Sequence, residues 1–260
     1  MAAATINGQK LTYADSGGDG PAIVLGHGYF LDHTIFSAQA AALSPRYRVI
    51  AWDARGHGGT PDTDDDSTYS YWDQADDVLG LLDYLNIRQA IVGGVSQGGF
   101  IALRAALLAP ERVGALILWD TEATPCDPAD KVAYRGMFDA LTAHGQASDI
   151  VEPLSTQLLG VSALRKEWLA RWQHRTMPLG SAAECLLNRD DVSSRLNEIK
   201  CRALLMWGEF DKSIPKDRMD LLHERLPGAT EVHVIAGSAH TPPLTHPAQV
   251  NSLILEFLSQ

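Results

Sequence analysis

Gly94-Val95-Ser96-Gln97-Gly98, set between the apolar run Ala90 to Val95 and the apolar stretch Gln97 to Ala109, is the segment on which the reading of this chain turns. The run before it has the length and Val/Ile content of a buried strand. The stretch after it carries helical spacing and stops before Pro110. A G-x-S-x-G motif between a strand and a helix is a sharp turn that strains its central residue and projects the hydroxyl. Small residues two places on either side, with Gly99 beyond, let strand and helix approach closely. The alternative is a glycine-rich turn with a buried structural serine. The flanking elements favour Ser96 as a nucleophile.

Outward from this turn, short Val/Ile/Leu runs recur at Ala22 to Leu25, Arg48 to Trp52, Ala115 to Trp119, Ala203 to Trp207 and Glu231 to Ile235. They read as parallel strands buried on both faces. Asn7-Gly8 between Ala4 to Ile6 and Gln9 to Asp15 predicts an antiparallel hairpin at the start of the sheet. Tyr69 to Asn86 places Ala75, Val78, Leu82 and Leu85 on one helical face. The fold class is therefore α/β, a mostly parallel central sheet with helices on both faces. After Trp119 the next strand-like run begins only at Arg202, which predicts a helical lid inserted after the sixth strand. The expected division is a core of residues 1–121 and 199–260 and a lid of residues 122–198. Within the lid, Asp130 to His144 reads as a helix, and Ser162 as the cap of another that carries Leu164, Trp168 and Trp172 on one stripe.

A serine hydroxyl needs a histidine base and a carboxylate that orients the imidazole. Asp211 follows the strand ending at Trp207, and His240 follows the strand ending at Ile235, so both stand at the carboxyl edge of the sheet with Ser96. The other histidines compete less well. His144 and His174 fall in the lid, His223 on a helix, His233 on a strand and His246 at the start of the last helix. For the acid, Asp120 and Glu122 follow the neighbouring strand and stay in contention, with Glu122 the alternative to Asp211. Oxyanion donors should be backbone N–H groups: that of Gln97, at a helix N-terminus, and that of Tyr29, in the turn Gly26-His27-Gly28-Tyr29-Phe30. His27 reads as a brace for this turn. Phe30, Met137, Phe138, Trp168, Trp172 and Met177 are candidate walls of an apolar pocket. For the two tryptophans, packing of the lid onto the sheet is the leading reading.

His27-Gly28, Asp53-Ala54-Arg55-Gly56-His57-Gly58, the turn at Ser96, Asp211 and His240 together resemble the α/β-hydrolase superfamily over nearly the whole chain. Arg46 to Gly58 and Val95 to Gly99 are similar to its lidded branch of 3-oxoadipate enol-lactonases, small-ester esterases and cofactor-free perhydrolases. The resemblance implies a serine hydrolase acting on a carboxylic ester or lactone through an acyl-enzyme, in the order Ser, Asp, His. A carbon-carbon bond hydrolase or perhydrolase on the same triad, or a ligand receptor on the same fold, are the alternatives. Gln97 departs from the Met that many relatives carry after the serine, which alters a pocket wall and spares the backbone donor. A likeness to lactonases that open mycotoxin macrolactones keeps Glu122 in view, since some of these take their acid after the sixth strand. The resemblance implies no metal or organic cofactor.

The formal charge of -11, from 32 acidic and 21 basic residues, opposes binding to nucleic acid or anionic lipid. The acidic run Asp62 to Asp66 reads as a solvated loop. Cys126, Cys185 and Cys201 have no C-x-x-C spacing, which disfavours disulfides and zinc and fits a reducing compartment. With no apolar run near the roughly 20 residues of a membrane span and no visible secretory signal, a cytoplasmic location is expected. A small-molecule substrate is the expected partner, and a homodimer is a compatible assembly.

Overall fold

The computed structural model describes residues 1–62 and 68–260; the acidic residues Asp64, Asp65 and Asp66 lie outside the described residues. Eight strands form one sheet in the order β1-β2-β4-β3-β5-β6-β7-β8. β1 (Ala2–Ile6) and β2 (Gln9–Asp15) are the expected hairpin. Asn7 and Gly8 both take positive φ, 50° and 79°, which a tight twist-matched hairpin turn requires. β2 then pairs antiparallel with β4 (Arg48–Trp52). Every other pairing is parallel, through β3 (Ala22–Gly26), β5 (Ala90–Val95), β6 (Val113–Trp119), β7 (Arg202–Gly208) and β8 (Ala229–Ile235). All five residues of β3 are buried, as a strand covered on both faces must be.

From β3 the chain crosses to β4 on one side, through α1 (Ser37–Leu43), and then returns through α2 (Tyr71–Tyr84) to β5 on the other side. Right-handed crossovers running in opposite directions put their helices on opposite faces. α2 accordingly packs with α3 (Gln97–Leu108), while α1 packs with α10 (Pro247–Ser259), the last helix. The reversal makes the crevice between the carboxyl ends of β3 and β5 a topological switch point, where open α/β sheets bind ligands. α2 starts at a capping box: the Ser70 side chain accepts from the amides of Trp72 and Asp73, and Asp73 reaches back to the Ser70 amide.

Between β6 and β7 lie α4 (Pro128–His144), α5 (Ser148–Leu159), α6 (Leu164–Gln173) and α7 (Ser181–Leu187), followed by a 3-10 turn at Ser193–Glu198. α8 (Lys216–Arg225) joins β7 to β8, and the short α9 (Pro242–Thr245) precedes α10. The Ser162 hydroxyl accepts from the Leu164 amide at 3.2 Å, two residues ahead of the start of α6. α5 belongs to the helical insertion expected after the sixth strand, although its own bounds were not among the helices named, and it carries Pro153 in its interior, where a proline normally ends a helix. Here the helix buries Val151, Leu154, Leu158 and Leu159, and that apolar face outweighs the missing N–H. No helix among the described residues is long and apolar enough to cross a membrane.

Candidate active site

Ser96 sits at φ 52° and ψ -115°, between the last residue of β5 and the first of α3. This conformation is strained for a residue with a side chain. It is imposed by the close approach of β3, β5 and α3: a Cβ on Gly98 would lie 2.0 Å from the Gly26 carbonyl oxygen, and one on Gly94 would lie 2.4 Å from the Gly98 carbonyl carbon. The Ser96 carbonyl is tied down by the Thr121 hydroxyl at 2.8 Å. The Gln97 amide opens α3 and is one of those that a helix leaves without an intrahelical acceptor.

The turn after β3 lies directly against the serine, since a Cβ on Gly28 would meet the Ser96 Cβ at 3.8 Å. Its Gly28 carbonyl accepts from the Leu31 amide at 3.2 Å, and Phe30 adopts φ 65°. Tyr29 is held by its hydroxyl, which donates to the Pro178 carbonyl, and by edge-on packing over His57, ring centroids 4.7 Å apart. His27 accepts the Ala54 amide at 3.1 Å, which binds the turn to the loop after β4. Burial, reinforced by the neighbouring His27, drives the pKa of His57 down to about 3, so its imidazole is neutral.

Asp211 and His240 stand on two loops stitched together across the carboxyl ends of β7 and β8. The Phe210 amide donates to the Ser238 carbonyl at 2.8 Å, the Gly237 amide to Glu209 at 2.9 Å, and a Cβ on Gly208 would lie 2.0 Å from the Ala239 oxygen. His240 Nδ1 lies 2.9 Å from Asp211 Oδ2, while Asp211 Oδ1 accepts the Ser213 amide at 2.7 Å. With Nδ1 so engaged, the imidazole keeps Nε2 for a second partner. Ser96 and His240 line one cavity of about 40 Å³, together with Tyr29, Phe30, Tyr134 and Arg189 among others.

The Glu122 carboxylate is taken up by partners other than His240. It is buried against Arg189 at 2.5 Å and Arg218 at 3.6 Å, and it accepts the Thr124 hydroxyl. Asp120 is brought to the pair instead: one donor atom from each of Asp120, Asp211 and His240 lies within 4.8 Å of the other two. Asp32, His33 and Asp53 form a similar cluster, spent on internal bonds such as His33 Nδ1 to Asp53 at 2.8 Å.

Of the expected pocket walls, Phe30 lines the cavity, and Met137, Phe138, Trp168, Trp172 and Met177 do not. Phe138 packs behind the wall, against Tyr29 and Phe30. Trp168 and Trp172 are each 2% exposed, and the Trp172 indole donates to the Phe30 carbonyl at 2.8 Å. Trp172 docks α6 onto the turn after β3, and Trp168 packs beside it, ring centroids 6.4 Å apart. The lining comes instead from Leu154, Gln157 and Leu158 of α5, Asp130 and Tyr134 of α4, and Leu186 and Arg189 near α7. The Leu154/Leu158 pair at helical spacing is the sequence signal that could have found this wall. The three cysteines are free, and burial pushes the Cys185 thiol up to about 12 and Cys201 to about 11.

A family profile described as alpha/beta hydrolase fold matches residues 21–247. The chain is 30% identical to a pimeloyl-(acyl-carrier protein) methyl ester esterase of Aeromonas hydrophila over 256 residues, 93% of this chain and 96% of that one. It is 29% identical to a 2-hydroxy-6-oxo-6-phenylhexa-2,4-dienoate hydrolase of Burkholderia cepacia, over 98% of this chain and 95% of that one. Among solved structures, a thermophilic esterase of Thermogutta terrifontis superposes with a TM-score of 0.87 at 28% identity, covering 99% of this chain and 97% of that one.

Proposed function

This chain belongs to the alpha/beta hydrolase fold family, and from that premise we propose that it is a serine hydrolase that cleaves a carboxylic ester or lactone through an acyl-enzyme. The observation that carries the reading is the 2.9 Å contact of His240 Nδ1 with Asp211, on a histidine that shares its cavity with the strained Ser96. In this reading Nε2 of His240 takes the Ser96 proton as Oγ attacks the carbonyl carbon. The amides of Gln97 and Tyr29 receive the oxyanion. Collapse of the tetrahedral intermediate expels the alcohol, which leaves with the proton from His240. Water, activated by the same imidazole, then attacks the acyl-Ser96 ester and releases the acid.

Residues 122–198 act in this reading as a lid. The cavity of about 40 Å³ has room for little more than water, far below the roughly 300 Å³ at which ligand pockets begin. In this reading the inserted helices give way to admit substrate, among them α5, whose Leu154 and Leu158 line the cavity with Ser96. The dienoate hydrolase relative, with a name that implies carbon-carbon cleavage, supports that chemistry on the same triad as the second reading. A panel of aryl esters, methyl esters, enol-lactones and vinylogous 1,5-diketones, with products identified by mass spectrometry, separates the two. Turnover of esters or lactones is expected, and turnover of the diketones alone would overturn the ester reading.

A further inference from the structure

Asp120 is a second carboxyl group in the site, and nothing in the reaction described above uses it. It follows the last residue of β6, is fully buried, and sits at φ 45°, a left-handed conformation that is costly for a non-glycine residue. The strain is held in place by its own backbone and side chain: its amide donates to the Met206 carbonyl at 3.1 Å, and its Oδ1 accepts the Gly208 amide at 2.8 Å. Its Oδ2, by contrast, is buried and meets no donor. A carboxylate oxygen left so would forfeit its hydration with no return.

The carboxyl beside it is that of Asp211, which already accepts from His240 on one oxygen and from the Ser213 amide on the other. Two carboxylates this close, out of water, do not both ionise. We propose that Asp120 is a neutral carboxylic acid whose Oδ2–H donates a hydrogen bond to the Asp211 carboxylate, making it a positioning residue for the group that orients His240.

The two sides of the pair are unequal in the way this requires. Asp211 has the imidazole and the Ser213 and Ile214 amides to stabilise its charge. Asp120 has one backbone amide and no cation. Burial first, and then the charge of Asp211, hold its carboxyl well above the usual carboxylate range. His240, from the loop after β8, stands with the pair; Tyr134 of α4 feels the charge of Asp211, and Asp130 of α4 and Arg189 near α7 line the cavity that His240 shares. Glu122, two residues further along the chain, is occupied by Arg189 and Arg218 and supplies no proton. Asp120 keeps its proton throughout turnover, and its bond takes up a lone pair of Asp211 that would otherwise face a dry interior. It also ties the carboxyl end of β6 to the loop after β7.

The role rests on the serine-hydrolase reading, but the protonation state does not, and the test keeps them apart. Infrared difference spectra of the wild type against Asp120→Asn at pH 7 should contain a protonated-carboxyl C=O band that the variant lacks, whether or not the protein turns over any ester. Asp120→Asn replaces the O–H donor with an amide N–H and keeps the acceptor for Gly208. Its kcat/KM on an aryl ester should stay within about threefold of wild type, since no hydrogen bond to the charged partner is lost. The acid limb of its pH profile, which reports the free-enzyme histidine, should not move. Asp120→Ala removes the donor. Its kcat should fall about 10- to 100-fold with KM unchanged, and its acid limb should move to higher pH, because a more exposed Asp211 charge holds the imidazolium proton harder. Were Asp120 ionised, both variants would remove a negative charge and move the acid limb to lower pH. That result, or the absence of the protonated-carboxyl band, overturns the proposal. If Asp120→Ala does not fold, the Asn variant and the spectrum decide alone.

Discussion

Gly98→Ala is a sharp perturbation of the turn at Ser96 that removes no reacting group. The added methyl would stand 2.0 Å from the Gly26 carbonyl oxygen and 2.4 Å from its carbon, whereas Cβ contacts under 3.0 Å are essentially never found. Both partners are backbone, so no side chain can swing aside. α3 and β3 must separate by roughly 1 Å, which is large for a close-packed interior. Overpacking of this kind costs about 3 kcal/mol, or about 6–12 °C in Tm for a domain of this size. The same displacement carries the Gln97 amide away from the Tyr29 amide, and a misplacement of about 1 Å in a catalytic site lowers turnover about 100-fold. Differential scanning calorimetry and aryl-ester kinetics read the two effects. Gly136→Ala in α4 is the control, because nothing lies within 4 Å of its would-be methyl. It should raise stability by up to about 1 kcal/mol. Gly98→Ala with Tm within about 2 °C and kcat/KM within about twofold of wild type would refute the reasoning.

Asp211→Asn should lower kcat on the order of 10⁴-fold with a small change in Tm, whereas Glu122→Gln should cost about 3 kcal/mol of stability through the uncovered Arg189 and spare kcat in the folded fraction; the reverse outcome would move the triad acid to Glu122. Trp172→Phe keeps the packing but loses the bond to the Phe30 carbonyl, and should lower Tm by about 2–4 °C; an unchanged Tm measured by calorimetry would remove the docking role. His57, with its folded pKa near 3 against about 6.5 for a free imidazole, takes up a proton in the unfolded chain that it refuses in the folded one. The stability it contributes is therefore complete above pH 6.5 and is lost as the pH falls toward 3. Urea unfolding of His57→Asn between pH 7 and 4 should show a shallower loss on acidification than the wild type, and an identical slope would contradict a buried neutral imidazole.

Much of the parallel sheet was legible because strands buried on both faces advertise themselves as Val/Ile/Leu runs, and the hairpin because Asn7-Gly8 has few other uses. Ser96, Asp211 and His240 could be proposed together because each follows such a run, and the ends of parallel strands share an edge. The cavity walls were a different matter. Trp168 and Trp172 attract attention as large apolar residues, but size alone does not say which way a helix faces; both are buried away from the cavity lining, Trp172 docking on the Phe30 carbonyl and Trp168 packing beside it. The insertion was legible as helical, but the bounds of α5 were not: its interior Pro153 carries a local penalty, while the burial that offsets it depends on the rest of the fold. The buried Glu122–Arg189 pair spans 67 positions in the sequence, and the meeting of Asp120 with Asp211 depends on β6 and β7 being neighbours. No spacing rule joins such residues before the strand order is known.

The most direct measurement is mass spectrometry of the protein quenched in acid during turnover of a p-nitrophenyl ester. An added acyl mass on the peptide that contains Ser96, present in the wild type and gone in Ser96→Ala along with hydrolysis, is the expected result. Ester turnover that persists in Ser96→Ala, or an acyl group found on any other residue, would contradict the account.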